Sequence, residues 1–279
     1  MTTNREAWVA GAEKLAAAGI DSARLDARVL LAHVMELGTG ELLTASDPSP
    51  EQIARYDELL ERRVAREPAA YITGAREFWS LPFAVGPGVL IPRPETETIL
   101  EEATRLFPDR EAPLEVLDLG TGSGCLLVAF LKDYSNARGV GVDRSAEALS
   151  WARANGEALG VADRIAWREG GWPAGEGTYD LVLSNPPYLT LAEASELAPE
   201  IARYEPASAL LAGADGLNAY RAIAPLIPRY LKPGGRAVLE IGAGQVDAVS
   251  AILIGQGLEI MAIKPDLAGV PRSIAVARA

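Results

Sequence analysis

The spacing of apolar positions changes twice along the chain. Between residues 5 and 78 they recur at three- and four-residue steps, the stripe of an amphipathic helix. Leu25, Val29, Leu30, His33, Val34 and Leu37 fall on one such stripe. The spacing predicts a helix capped by Asp21 or Ser22 and ended by Gly38 and Gly40, with His33 as a packing or capping residue. A second helix is predicted from Pro50 to about Ala65, with proline in its first turn. Residues 1–75 therefore read as a helical bundle. Trp79, Leu81, Phe83 and Val85 then alternate, and Gly86-Pro87-Gly88 precedes Val89-Leu90-Ile91. That pattern predicts a β-hairpin linker over residues 76–94, with Trp79 and Phe83 as inter-domain core. Pro92 and Pro94 stiffen its exit.

From residue 95 to 279, short apolar runs alternate with helical spacing. The predicted strands are Glu115–Leu119, Gly139–Val142, Arg164–Arg168, Asp180–Ser184, Arg236–Ile241, Leu258–Ile263 and Ser273–Ala277. Ala146–Leu159 and Leu217–Leu231 carry helical periodicity between them. Five strands separated by helices predict an α/β domain with a parallel sheet covered on both faces. The last two, separated by Pro265-Asp266 and Gly269, read as a terminal antiparallel hairpin.

Composition narrows the chemistry. The 279 residues carry a net charge of −12, a field that repels a phosphate backbone, so no direct nucleic-acid binding is expected. One cysteine and one histidine allow neither an internal disulfide nor a Cys/His zinc site. The acidic run Glu95, Glu97, Glu101 and Glu102 reads as a solvated helical turn rather than a metal site. No apolar run is long enough to span a membrane. The start carries Arg5, Glu6, Glu13 and Lys14, unlike a signal or transit peptide. A cytoplasmic, metal-free protein is the expectation.

Two segments carry candidate chemistry. The first predicted strand of the sheet runs into Asp118-Leu119-Gly120-Thr121-Gly122-Ser123-Gly124 and then a helix. Glycines at every second position let the backbone approach a ligand, and the helix N-terminus behind them favours a carboxylate. Asp118 can accept from an ammonium group, and Asp143, ending the second strand, from both hydroxyls of a ribose. Such a loop fits NAD as well as S-adenosylmethionine (AdoMet), although its spacing is not G-x-G-x-x-G. A tight turn without a ligand is the plain alternative.

The second segment is Ser184-Asn185-Pro186-Pro187-Tyr188, at the end of a strand, where ligands of open parallel sheets bind. Consecutive prolines make it stiff and extended. The Pro186 carbonyl and the Asn185 side-chain oxygen form a pair of acceptors, suited to the two N–H donors of an –NH2 group. Tyr188 offers a flat face for stacking. The plain alternative is a stop signal after a strand.

With the flanking segments, these residues resemble the release-factor glutamine methyltransferases, the PrmC or HemK family. The likeness extends through Glu67-Pro68-Ala69-Ala70-Tyr71, Ile91-Pro92-Arg93-Pro94-Glu95-Thr96-Glu97, Tyr204-Glu205-Pro206, Asp215-Gly216-Leu217, Leu231-Lys232-Pro233-Gly234-Gly235 and Glu240-Ile241-Gly242. It implies a Rossmann-like class I AdoMet-dependent methyltransferase sheet behind a helical substrate-recognition domain. The implied reaction is methylation of the N5 amide of the glutamine in the Gly-Gly-Gln motif of class I peptide-release factors, with S-adenosylhomocysteine as product. By motif position, Gly120, Thr121, Gly122, Ser123, Gly124, Asp143, Trp172 and Asn185 would contact AdoMet. Asn185, Pro186, Pro187 and Tyr188 would hold the glutamine, with Asn185, Pro186 and Tyr188 catalytic. The family often carries an acidic residue just before that tryptophan, where this chain has Gly171. Amino methyltransfer to another protein, or to an exocyclic base amine of flipped-out DNA, is the alternative reading.

Overall fold

A computed structural model describes residues 2–279. The described residues form two compact units, 2–75 with 198–204 and 76–197 with 205–279.

The first unit holds α1 (Asn4–Ala17), α2 (Ala23–Val34), α3 (Pro50–Val64) and α4 (Ala69–Thr73). Capping boxes start α1 at Thr3/Glu6 and α3 at Ser49/Gln52, each satisfying two N–H groups at the helix start. Leu15, Leu30, Leu31, Tyr56, Leu59 and Leu60 fill the core. The buried face of α2 differs from the predicted stripe. It comprises Ala23, Asp26, Ala27, Leu30, Leu31 and Ala32, while Leu25 is 60% exposed and His33 is also exposed. The cause is an ion pair that polarity patterns place in solvent. Buried Arg63 donates to Asp26 at 2.8 Å and to Glu200 at 2.7 Å. Glu200 lies on a short helix, Pro199–Tyr204, which belongs to this unit although 123 residues separate it from position 75. No sequence signal marked that excursion.

The second unit opens with a two-stranded hairpin, β1 (Ala75–Phe78) and β2 (Leu81–Ala84). It turns at Trp79-Ser80, ahead of the predicted Gly-Pro-Gly turn. Both residues have positive φ, 54° and 58°, as a tight two-residue turn between twisted strands requires. Their N–H groups donate to Glu97 and Glu77, offsetting the strain. Trp79 and Phe83 pack into the core of this unit, a correction to their inter-domain reading.

The main sheet comprises β3 (Glu115–Leu119), β4 (Arg138–Asp143), β5 (Ile165–Glu169), β6 (Tyr179–Ser184), β7 (Leu231–Glu240), β8 (Leu258–Pro265) and β9 (Pro271–Arg278). Its order is β5-β4-β3-β6-β7-β9-β8. The first five are parallel, and β9 pairs antiparallel with both β7 and β8. Alternate residues serve opposite faces: Val116, Leu181 and Leu183 join one core cluster, Leu117 and Val182 the other. The predicted helix over 217–231 breaks into Asn218–Ile223 and Ile227–Tyr230, because Pro225 and Pro228 bring no N–H. Strand order reverses beside β3, which puts a crevice at the carboxyl ends of β3, β4 and β6. No helix of the described residues is long and apolar enough to cross a membrane.

Candidate active site

A cavity of about 710 Å³ opens at those strand ends, within the size range of small-molecule sites. Gly120, Thr121, Gly122 and Ser123 after β3, Asp143 ending β4, Trp172 after β5, and Asn185 and Pro187 after β6 all line it. Gly124 lies behind the loop instead, where an added Cβ would press on Trp167 and Ala152.

Hydrogen bonds from the neighbouring strand hold the loop. The N–H groups of Gly120 and Thr121 both donate to the Val142 carbonyl at 2.9 Å. Gly122 N–H donates to Asp143 Oδ2 at 2.9 Å, and Ser145 N–H to Asp143 Oδ1 at 2.9 Å. Each Asp143 oxygen keeps a second lone pair for a ligand. Trp172 closes the other side, with its ring 3.0 Å from where a Gly120 Cβ would stand. Its carbonyl accepts from Tyr230 at 2.8 Å.

Asp118 lies beneath the loop, fully buried and outside the cavity lining. Thr121 donates to its Oδ2 at 2.5 Å, and its Oδ1 has no partner. Burial pushes its carboxyl up to about 7, with the nearby Asp143 charge adding and the Thr121 hydrogen bond opposing. The ammonium contact expected of Asp118 thus has no direct geometry here. Cys125 borders the cavity, and burial pushes its thiol up to about 12.

A small recess adjoins, lined by Asn185, Pro186, Pro187 and Tyr188 with Leu90, Arg93 and Glu240 among others. Asn185 Nδ2 donates to Thr96 Oγ1 at 3.0 Å, leaving its Oδ1 as a free acceptor. No donor among the described residues reaches the Pro186 carbonyl. Gln245 Nε2 donates to the Tyr188 carbonyl at 3.0 Å and fixes the far end of the segment.

Thr96, Glu205 and Glu240 were not legible as site residues. Glu205 accepts from Ile91 N–H at 3.0 Å and from Arg93 at 2.5 Å, fastening the Ile91–Glu97 segment at the recess. Thr96 donates to Glu240 Oε2 at 2.6 Å. Burial pushes Glu240 up to about 7, opposed by hydrogen bonds from Thr96 and Tyr188 and by the Arg272 charge. The motifs holding these residues stood out in the sequence, but separations of 144 positions between Thr96 and Glu240 and 114 between Ile91 and Glu205 hid their contacts.

Comparison with known proteins adds a family assignment. Residues 6–74 match a model of the PrmC N-terminal domain, and residues 98–207 a methyltransferase small domain. The chain is 46% identical over 272 residues to a release factor glutamine methyltransferase of Cereibacter sphaeroides, covering 96% of each. It is 43% identical over 266 residues to another from Caulobacter vibrioides, covering 93% of this chain and 91% of that one. Among solved structures, a methyltransferase from Pyrococcus furiosus aligns with a TM-score of 0.51 at 18% identity, covering 79% of this chain and 98% of that one. The ribosomal protein L11 methylase of Lactobacillus delbrueckii aligns at 0.50 with 20% identity, over 70% and 83%. These two likenesses show the class I methyltransferase fold.

Proposed function

Since the chain belongs to the release factor glutamine methyltransferase family, we propose that it methylates the N5 amide nitrogen of the glutamine in the Gly-Gly-Gln motif of class I release factors. AdoMet is the methyl donor and S-adenosylhomocysteine the product. The observation that carries this reading is the acceptor pair of the recess, Asn185 Oδ1 and the Pro186 carbonyl, beside a glycine-lined cavity.

The residues of the cavity fit AdoMet. Gly122 has open space where a Cβ would stand, so the backbone can lie against a ligand. Asp143 has lone pairs for ribose hydroxyls, and Trp172 presents an apolar surface to an adenine. Bound there, AdoMet supplies an electrophilic methyl on a sulfonium leaving group. Asn185 and Pro186 accept the two N–H groups of the glutamine carboxamide and orient its nitrogen. An amide nitrogen is a poor nucleophile because its lone pair is delocalised. The two hydrogen bonds strengthen as positive charge develops on it, which is where transition-state stabilisation arises. The rest is placement of the reacting atoms. No general base is needed, since the nitrogen becomes acidic after methyl transfer and releases its proton. The helical unit serves to hold the body of the release factor, and the work belongs to the cytoplasm. Neither metal nor nucleic acid is part of the reading. The −12 charge disfavours duplex DNA as the alternative substrate.

The test is mass spectrometry of a release-factor digest after incubation with enzyme and isotope-labelled AdoMet. One methyl on the Gly-Gly-Gln glutamine is expected; an unmodified glutamine refutes the reading. Asn185→Ala should lower kcat about 100- to 1,000-fold, the range for deleting one transition-state hydrogen-bonding group. Near-normal turnover of the folded variant would remove Asn185 from the mechanism.

A further inference from the structure

Two buried polar side chains, Glu240 of the recess and Thr96 of the adjoining cavity, have no part in the chemistry above. Glu240, the last residue of β7, is 1% exposed, and Thr96, ending the Pro94–Thr96 turn, is 2% exposed. Desolvating a carboxylate is costly, so a buried one is retained only where it is well bonded. Here it receives the Thr96 hydroxyl at 2.6 Å. It lines the recess together with Asn185 and Tyr188.

The directions of these bonds follow from elementary donor counting. An ionised carboxylate only accepts, so Thr96 must spend its single hydrogen on Glu240. Thr96 Oγ1 is then an acceptor toward Asn185, and only the –NH2 end of the Asn185 carboxamide can face it, as the 3.0 Å contact shows. The oxygen of Asn185 is consequently turned the other way. With the carboxylate neutralised or the hydroxyl removed, nothing enforces that direction, and a rotation of the carboxamide would present N–H donors instead.

We propose that Glu240 and Thr96 are positioning residues that fix the Asn185 carboxamide with its oxygen outward, and so make the recess select a carboxamide over a carboxylate. The inference rests on the recess being the glutamine site. A glutamine side chain brings two N–H donors to the fixed acceptors. A glutamate side chain brings only acceptors, which meet the Asn185 oxygen and the Pro186 carbonyl unfavourably. The relay thus supplies specificity by repulsion as well as attraction.

The experiment uses the full chain in mildly alkaline buffer, where Glu240 is ionised. It compares methylation of a Gly-Gly-Gln release-factor peptide with inhibition by the Gly-Gly-Glu peptide. Thr96→Val keeps the side-chain volume and removes the hydroxyl. It should lower kcat about tenfold, the worth of one hydrogen bond, and tighten inhibition by the glutamate peptide several-fold. Thr96→Ser should restore both properties, and Glu240→Gln should shift the peptide preference in the same direction as Thr96→Val. A loss of kcat with unchanged preference between the two peptides would overturn the relay, because a merely structural role predicts that result. Wild-type preference in both Thr96→Val and Glu240→Gln would overturn it as well. Should wild-type enzyme leave the glutamine peptide unmethylated, the assigned reaction falls first and the relay with it.

Discussion

Gly122→Ala separates the use of a glycine for its backbone from its use as a ligand surface. Gly122 has φ +56°, and an added Cβ meets nothing within 4 Å. The left-handed conformation costs a non-glycine residue about 1–2 kcal/mol, which for a unit of this size lowers the melting temperature by about 2–8 °C. The same methyl also projects into the cavity that Gly122 lines. Overfilling a packed contact costs about 1–3 kcal/mol, so AdoMet affinity should fall about 5- to 150-fold. Gly257 supplies the control: φ is +75°, its Cβ also meets nothing within 4 Å, and it lies outside the cavity. Gly257→Ala should show the thermal loss alone. Calorimetric melting without ligand, followed by titration with AdoMet, measures both quantities. If Gly122→Ala and Gly257→Ala bind AdoMet equally well, the glycine loop does not cradle the ligand and the cavity assignment fails.

Other consequences are open to simple measurement. Arg63→Met would remove the buried guanidinium shared by Asp26 and Glu200, leaving Asp26 the Ser22 hydroxyl and half-buried Glu200 only Arg66 at 3.4 Å; it should destabilise the helical unit by up to about 3–5 kcal/mol, read by urea denaturation, and a loss below about 1 kcal/mol would class the pair with surface salt bridges. Stability should fall as pH rises toward neutrality. Asp118 and Glu240 titrate near 7 when folded but near about 4 when unfolded. Between those values the native state binds more protons, so stability present at low pH is lost at up to about 1.4 kcal/mol per pH unit for each group. Asp118→Asn should flatten that slope and raise the melting temperature at neutral pH; an unchanged slope would contradict the burial argument. Cys125 borders the cavity with its thiol titration pushed up by burial, so iodoacetamide should alkylate it more slowly in the native protein than in the unfolded chain. Rapid native alkylation would show the thiol to be open to solvent.

The catalytic sheet was legible because strands buried on both faces leave short apolar runs that few alternatives imitate. Glu115–Leu119 was readable to the residue and Tyr179–Ser184 to within one position at its start, since glycines follow one and prolines the other. What escaped prediction depended on long-range pairing. The hairpin turn moved to Trp79-Ser80 because glutamate side chains can hold a positive-φ pair without glycine. The face of α2 rotated because buried Asp26 is compensated by Arg63, 37 positions away. A pattern of hydrophobic and polar residues registers neither event. The same limit hid Glu240 and Thr96, whose meaning lies in contact with Asn185.

Three carboxylates perform the same operation around the site, and their charge explains it better than their shape. Asp143 takes the N–H groups of Gly122 and Ser145, and Glu205 takes Ile91 N–H and Arg93. Glu240 takes the hydroxyl of Thr96. At Glu240 a neutral amide would match the distance, but it can turn over and donate to the Thr96 hydroxyl, so it leaves that bond's direction undetermined. An ionised carboxylate cannot. Every group touching it must point a hydrogen inward, and at Glu240 the chain through Thr96 thereby turns the Asn185 oxygen away from the carboxylate. The cost is desolvation, visible in the raised titration of Glu240. On this argument the recess favours a donor-rich –NH2 group because charge buried behind it leaves its acceptors no other orientation.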